Sequence, residues 1–158
     1  MKEQLLKKIF DNFELSAKDK KIVENALVEE INLPRLEIVV DTMLEYHMQT
    51  EVLVAYILFQ CFKVDEQLAE NLAKELNKSQ QKLYEIFKVL RDVKSLTRGG
   101  EAEDIRRMFV AICQDIRVVI IKFATILFDL NKIKNPMNED DRAFVQMVSD
   151  IFAPLAER

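Results

Sequence analysis

Glycine and proline are scarce, two and three among 158 residues. A sheet protein of this length turns often, and tight turns draw on those two residues. Their scarcity excludes a mostly β fold and predicts an all-α one. Tryptophan is absent and histidine occurs once, at His47. Most metal and general-base sites need several converging His, Cys or carboxylate side chains. His47 is therefore expected to be a surface or loop residue. The two cysteines, Cys61 and Cys113, show no CxxC spacing and sit in apolar runs. They read as reduced, buried thiols, because burial raises a thiol pKa and quietens it as a nucleophile. The one Gly-Gly, at Gly99-Gly100, lacks the strand and lysine of a phosphate loop. A basic excess is missing as well: 23 Lys and Arg stand against 27 Asp and Glu, net −4. No DNA partner is expected from that balance. Long apolar runs are also missing. Residues 118–128, VVIIKFATILF, are broken by Lys122 and Thr125 and fall short of the ~20 residues that cross a bilayer. The charged, amphipathic N-terminus is no signal peptide. A cytoplasmic protein with no membrane partner is expected.

What is present is helical periodicity. Apolar residues make up 49% of the chain, enough for one domain with a sizeable core. About nine helices are expected. Leu5, Leu6, Ile9, Phe10 and Phe13 stripe the first. Ser16 with Asp19 caps a second, predicted to run to about Ile31. Pro34 suits the first turn of a third, ending near Tyr46. A fourth covers about 50–62. Asp65 caps a fifth that holds Leu68, Leu72 and Leu76, and Ser79 caps a sixth with Leu83, Ile86, Phe87 and Leu90. After the break at 96–100, a seventh starts near Glu101 and meets the eighth near Asp115. Asn135-Pro136 is predicted to stop the eighth, and Asn138 with Asp141 to cap the ninth. Residues 53–62 and 118–128 are apolar nearly all round, which predicts two buried central helices. Acidic runs such as Glu139-Asp140-Asp141 suit helix starts. Arg106, Arg107 and Arg117 are expected to pair with Glu101, Glu103, Asp104 or Asp115.

Residues 104–133, DIRRMFVAICQDIRVVIIKFATILFDLNKI, together with Asp150-Ile151-Phe152-Ala153-Pro154-Leu155-Ala156-Glu157-Arg158, carry a further signal. They resemble the N-terminal hydrolase domain of the RelA/SpoT family of guanosine tetra- and pentaphosphate enzymes. Arg106, Arg107, Met108, Phe109, Ala111, Asp115, Arg117, Val118, Ile121, Lys122 and Ala124 fall where the family pattern places such residues. A weaker likeness spans about 34–65, where residues 53–64 resemble the segment that carries the family's His-Asp pair. The resemblance implies one HD-domain-like helical globule over 1–158. In active members such a domain binds manganese through two histidines and two aspartates and removes the 3′-pyrophosphate from the alarmone.

Carried over position by position, that ligand set is lost. Phe59 and Gln60 stand at the His-Asp pair, and Lys63 and Val64 at the acidic pair that follows. Thr125 stands at the later Asp. Phe128 and Asp129 replace a His-Asn pair, and Asn131 replaces an Arg. The resemblance thus implies a degenerate, inactive hydrolase-like domain with no catalytic or metal-binding residues and no cofactor. Phe59 and Phe128 are expected to fold inward and fill the former pocket. The expected partner is a synthetase domain further along the same polypeptide, transferring pyrophosphate from ATP to GDP or GTP. The abrupt end at Arg158 suggests a fragment of such a protein. A guanine nucleotide is a possible ligand, and the oligomeric state is left open. Two alternatives are a stand-alone helical interaction module and a hydrolase with a rebuilt metal site around Asp129 or Asp65.

Overall fold

A computed structural model of the chain describes residues 1–90, 115–132 and 142. The described elements are seven helices, with no strand among them: α1 (Lys2–Asn12), α2 (Ala17–Ala26), α3 (Leu33–Glu45), α4 (Thr50–Val64), α5 (Glu66–Ala73), α6 (Lys78–Leu90) and α7 (Ile116–Asn131). The all-α expectation holds. The helices expected from about Glu101 to 114 and after Asn138 lie outside the described residues, apart from Arg142, which is helical. The chain divides into two compact units, Met1–Leu90 and Arg91–Arg158.

In the first unit α4 is the axis. Val52 through Phe62 are buried without interruption, as a helix apolar all round requires. It packs on α2, α3, α5 and α6, while α1 packs on α3 and α2 on α5. The covering helices bury one stripe each: Ile22, Val23 and Ala26 of α2, then Leu36, Val39, Val40 and Met43 of α3. α6 buries Gln80, Leu83, Tyr84 and Phe87. Those intervals of three and four residues are the 3.6-residue period of a half-covered helix.

Helix ends follow local hydrogen bonding. Ser16 Oγ accepts from the Asp19 N–H, Asn32 Oδ1 from that of Arg35, and Asp65 Oδ1 from that of Leu68. α2 stops at Ala26, short of the expected Ile31. Residues 28–31 form a turn instead, in which the Ile31 N–H donates to the Val28 carbonyl and Ile31 stays buried. Apolar spacing alone does not separate that turn from another helical one. Leu76 likewise follows α5 rather than ending it. The expected Ser79 cap of α6 is corrected to Asn77. Asn77 Oδ1 accepts from the Gln80 N–H at 2.8 Å, and Gln80 Oε1 accepts from the Asn77 N–H at 3.0 Å. This reciprocal box satisfies two orphan donors, and a serine two residues further on, already inside the helix, cannot match it.

α3 ends in a left-handed residue, His47, with φ 52. The His47 N–H donates to Leu44 and the Met48 N–H to Met43, the paired bonds of a Schellman end. The lone histidine is exposed and serves the backbone turn into α4.

In the second unit α7 starts at Asp115, whose carboxylate accepts from the Arg117 N–H. The same carboxylate holds the Arg117 guanidinium through two bonds of 3.0 and 2.8 Å. The guanidinium, opposed in part by burial, keeps the Asp115 carboxyl below the usual range. α7 buries Val118, Ile121, Thr125 and Ile126, while Ile116 and Leu127 are exposed. Burial therefore follows a stripe rather than the whole circumference. The helix ends at Asn131, before the expected stop at Asn135-Pro136.

Candidate functional site

The positions singled out by sequence fall into two sets, one on each unit. Phe59, Gln60, Lys63 and Val64 occupy the last turns of α4. Phe59 is 7% exposed. Its ring stacks on Phe87 at 5.9 Å and 19°, and meets Tyr56 edge-on at 6.2 Å. Tyr56 and Phe87 close the triangle at 5.2 Å. Edge-on and offset contacts of this kind add to the area that each ring buries. Lys63 carries its ammonium 5.2 Å from the centre of the Phe59 ring. Val64 is partly open to solvent.

Gln60 is also 7% exposed, and its Nε2 is buried with no hydrogen-bond partner. Beside it, Cys61 is a free, buried thiol. Burial first, and the Asp65 charge second, push its pKa up from 9.0 to about 11. A reactive cysteine needs the opposite shift. Folding therefore favours the neutral thiol. Its contribution to stability is complete below pH ~9 and is lost between ~9 and ~11, where the unfolded chain has released the proton and the folded chain has not. A shift of that size corresponds to about 2–3 kcal/mol. Denaturant midpoints measured from pH 8 upward should fall across that window, and Cys61→Ala should flatten the fall. Parallel slopes for the two proteins would remove Cys61 as the cause.

Thr125, Phe128, Asp129 and Asn131 lie on α7. Thr125 is buried, and its Oγ1 donates to the Lys122 carbonyl at 2.8 Å. The hydroxyl is thus satisfied by its own helix. Phe128 and Asp129 are half-buried and Asn131 is exposed. Lys132 places its ammonium 5.3 Å from the Phe128 ring centre. Phe59 is thus inward and enclosed, whereas Phe128 is only partly covered.

A feature missed in the sequence is a repeated aromatic–lysine pair, four residues apart. It occurs as Phe59–Lys63, Tyr84–Lys88 and Phe128–Lys132. The i,i+4 spacing that brings side chains together on a helix was there to be read. The middle pair is the most elaborate. Lys88 Nζ lies 4.6 Å from the Tyr84 ring centre and 5.2 Å from that of Phe62, and binds Glu70 at 3.0 Å and Glu85 at 2.9 Å. Burial opposes the Lys88 charge, but the bonds to Glu85 and Glu70 outweigh it and raise its pKa. The cluster pins α6 to α4 and α5.

A divalent ion needs converging oxygen, nitrogen or thiolate donors. Phe59, Gln60, Lys63 and Thr125 offer a ring, an amide with a buried donor, an ammonium and a hydroxyl already engaged. These residues do not fit a metal. Among the described residues, no three His, Cys, Asp or Glu side chains come together as a metal site. Asp65, one candidate for a rebuilt site, caps α5. Elsewhere, a cleft of about 590 Å³ opens beside Phe13, Met43, His47 and Met48, and no residue expected at the former metal site lines it. No helix among the described residues is long and apolar enough to cross a membrane.

The profile of the HD domain family matches residues 29–158. A segment of 64 residues, 40% of this chain, is 41% identical to a probable guanosine-3′,5′-bis(diphosphate) 3′-pyrophosphohydrolase of Synechocystis sp., of which it covers 8%. Over 126 residues, 75% of this chain, it is 26% identical to a GTP pyrophosphokinase of Photobacterium angustum, covering 17% of that protein. Over 115 residues, 72% of this chain, it is 26% identical to the guanosine-3′,5′-bis(diphosphate) 3′-pyrophosphohydrolase of Haemophilus influenzae, again covering 17%. The matched region is thus a small part of larger polypeptides. No solved structure matches the chain. The likeness read from residues 104–133 and 150–158 holds: the chain belongs to the HD domain family and is a relative of the RelA/SpoT proteins.

Proposed function

We propose that residues 1–158 act as one catalytically silent hydrolase-like domain of a cytoplasmic RelA/SpoT-type protein. Its role is structural and regulatory: it restrains or releases a (p)ppGpp synthetase domain, a GTP pyrophosphokinase, carried on the same polypeptide. The family match, residues 29–158, runs across both compact units, which supports a single domain. One observation carries the reading. At the position of the expected metal-binding histidine, the Phe59 ring is enclosed between Tyr56 and Phe87. An imidazole there would face aromatic walls, with Gln60 beside it in place of the aspartate. Without a metal to lower the pKa of a bound water, the hydrolytic nucleophile is not formed. The loss of the acidic set also removes the repulsion that like charges suffer without a cation between them.

The chain is incubated with guanosine tetraphosphate and manganese, and the products are separated by chromatography. No GDP is expected. Released GDP would overturn the silent reading, because some other residues would then be holding the metal. The regulatory half is tested in the longer polypeptide: deleting this region should change the rate of pyrophosphate transfer from ATP, and an unchanged rate would refute it.

A further inference from the structure

We propose that α1 is an exchangeable strap: it lies on α3 as a ligand helix lies in a groove, and on release it takes the same groove on a second copy of this chain. The pairing is that of an amphipathic helix with an apolar face. Leu5, Ile9 and the capping Phe13 follow at four-residue spacing, and all three are buried. From among them Lys8 reaches across to Glu37, at 3.4 Å, and to Asp41. Those two carboxylates stand four residues apart on α3, so one ammonium bridges both. The apolar row supplies the hold, and the charge bridge fixes the register.

The manner of attachment separates α1 from its neighbour. α2 is built into the bundle: it packs on α4 and α5, and its Asp19 accepts a bond from the buried Gln80 of α6 at 3.0 Å. α1 packs chiefly on α3, with Lys20 of α2 5.8 Å from the Phe10 ring centre. The match to the HD domain family starts at residue 29, well past α1. Residues 13–16 join α1 to α2. Phe13 and Ser16 are already extended, at φ −123, ψ 136 and φ −66, ψ 164, so α1 can swing outward with little change at the ends of the linker. Among the described residues, one side-chain bond ties this linker to the helices beyond, from the Thr50 hydroxyl to the Glu14 carbonyl at 3.3 Å. A helix of 11 residues is marginal by itself in water, and its release bares both its own apolar row and the face of α3. The α1 of a second copy restores all of those contacts, the Lys8 bridge included. A short linker between two packed elements is a common hinge for such an exchange.

The test uses two whole-chain variants with crossed charges. The first is Lys8→Glu, and the second is Glu37→Lys with Asp41→Lys. In either variant alone, α1 meets a like charge on α3. In their mixture, each α1 meets the opposite charge on the α3 of the other chain. Size-exclusion chromatography with light scattering should give the mass of one chain for each variant alone and twice that mass for the mixture, with the dimer receding as salt is raised. A mixture that keeps the mass of one chain at every concentration would overturn the exchange. Circular dichroism of each variant reports on the bundle: loss of the whole fold in Lys8→Glu would make α1 part of the core and would overturn the strap as well. Hydrogen exchange of the unaltered chain is a second reading that needs no substitution. Amides of α1 should exchange on the order of tenfold faster than those of α4, and faster still when salt screens the Lys8 bridge. Equal protection of α1 and α4 would show that α1 opens only with the whole fold, against the proposal.

Discussion

Phe87→Ala lowers the unfolding free energy by about 3–5 kcal/mol, as for other large buried aromatics cut back to alanine. Phe87 is 2% exposed and touches both Tyr56 and Phe59. Removing its ring opens a void between α4 and α6 that two neighbouring rings line and cannot fill without leaving their rotamers. The loss should appear in the denaturant midpoint with little change in slope. A loss below about 1 kcal/mol would mean that the aromatic triangle is loosely packed.

Restoring the lost motif should be nearly as costly. Phe59→His with Gln60→Asp places a carboxylate where the amide nitrogen is already buried without a partner. An uncompensated charge there costs about 3–5 kcal/mol, or is avoided by protonation, which makes the loss grow as pH rises through the carboxylate range. Manganese should not recover the stability, because Lys63 still places an ammonium over residue 59. Thermal melts with and without manganese read this directly. A large metal-dependent rise in the melting temperature would show that the site is two substitutions from working, and that the other changes count for little.

Much of this was legible in the residues. The scarcity of glycine and proline carried the fold class. The uninterrupted apolar run from Val52 carried the central helix, since only a helix covered on all sides tolerates it. Ser16 and Asp65 were legible as caps because one hydroxyl or carboxylate meets one N–H a few residues on, whereas Asp115 was legible only as the joint before α7. Asn77 was not, because its box needs Gln80 to reach back as well, and Ser79 competes on composition alone. The end of α2 was hidden for a similar reason: Ile31 is buried whether its turn is helical or not. At the candidate site, sequence located Phe59 and its inward direction. It did not reveal that lysines crown the replaced rings, because each Lys read alone is an ordinary surface charge.

Tyr84 has a consequence for how this protein can be watched. Its side chain is fully buried and its Oη has no hydrogen-bond partner. Burial first, and Glu70 and Glu85 after it, hold its phenol far above the ordinary tyrosine range. With no tryptophan in the chain, near-ultraviolet absorbance belongs chiefly to tyrosine. Tyr84 should yield its phenolate only when α6 lifts from α4. A spectrophotometric titration in mild alkali thus carries a built-in optical gauge of that interface, needing no label.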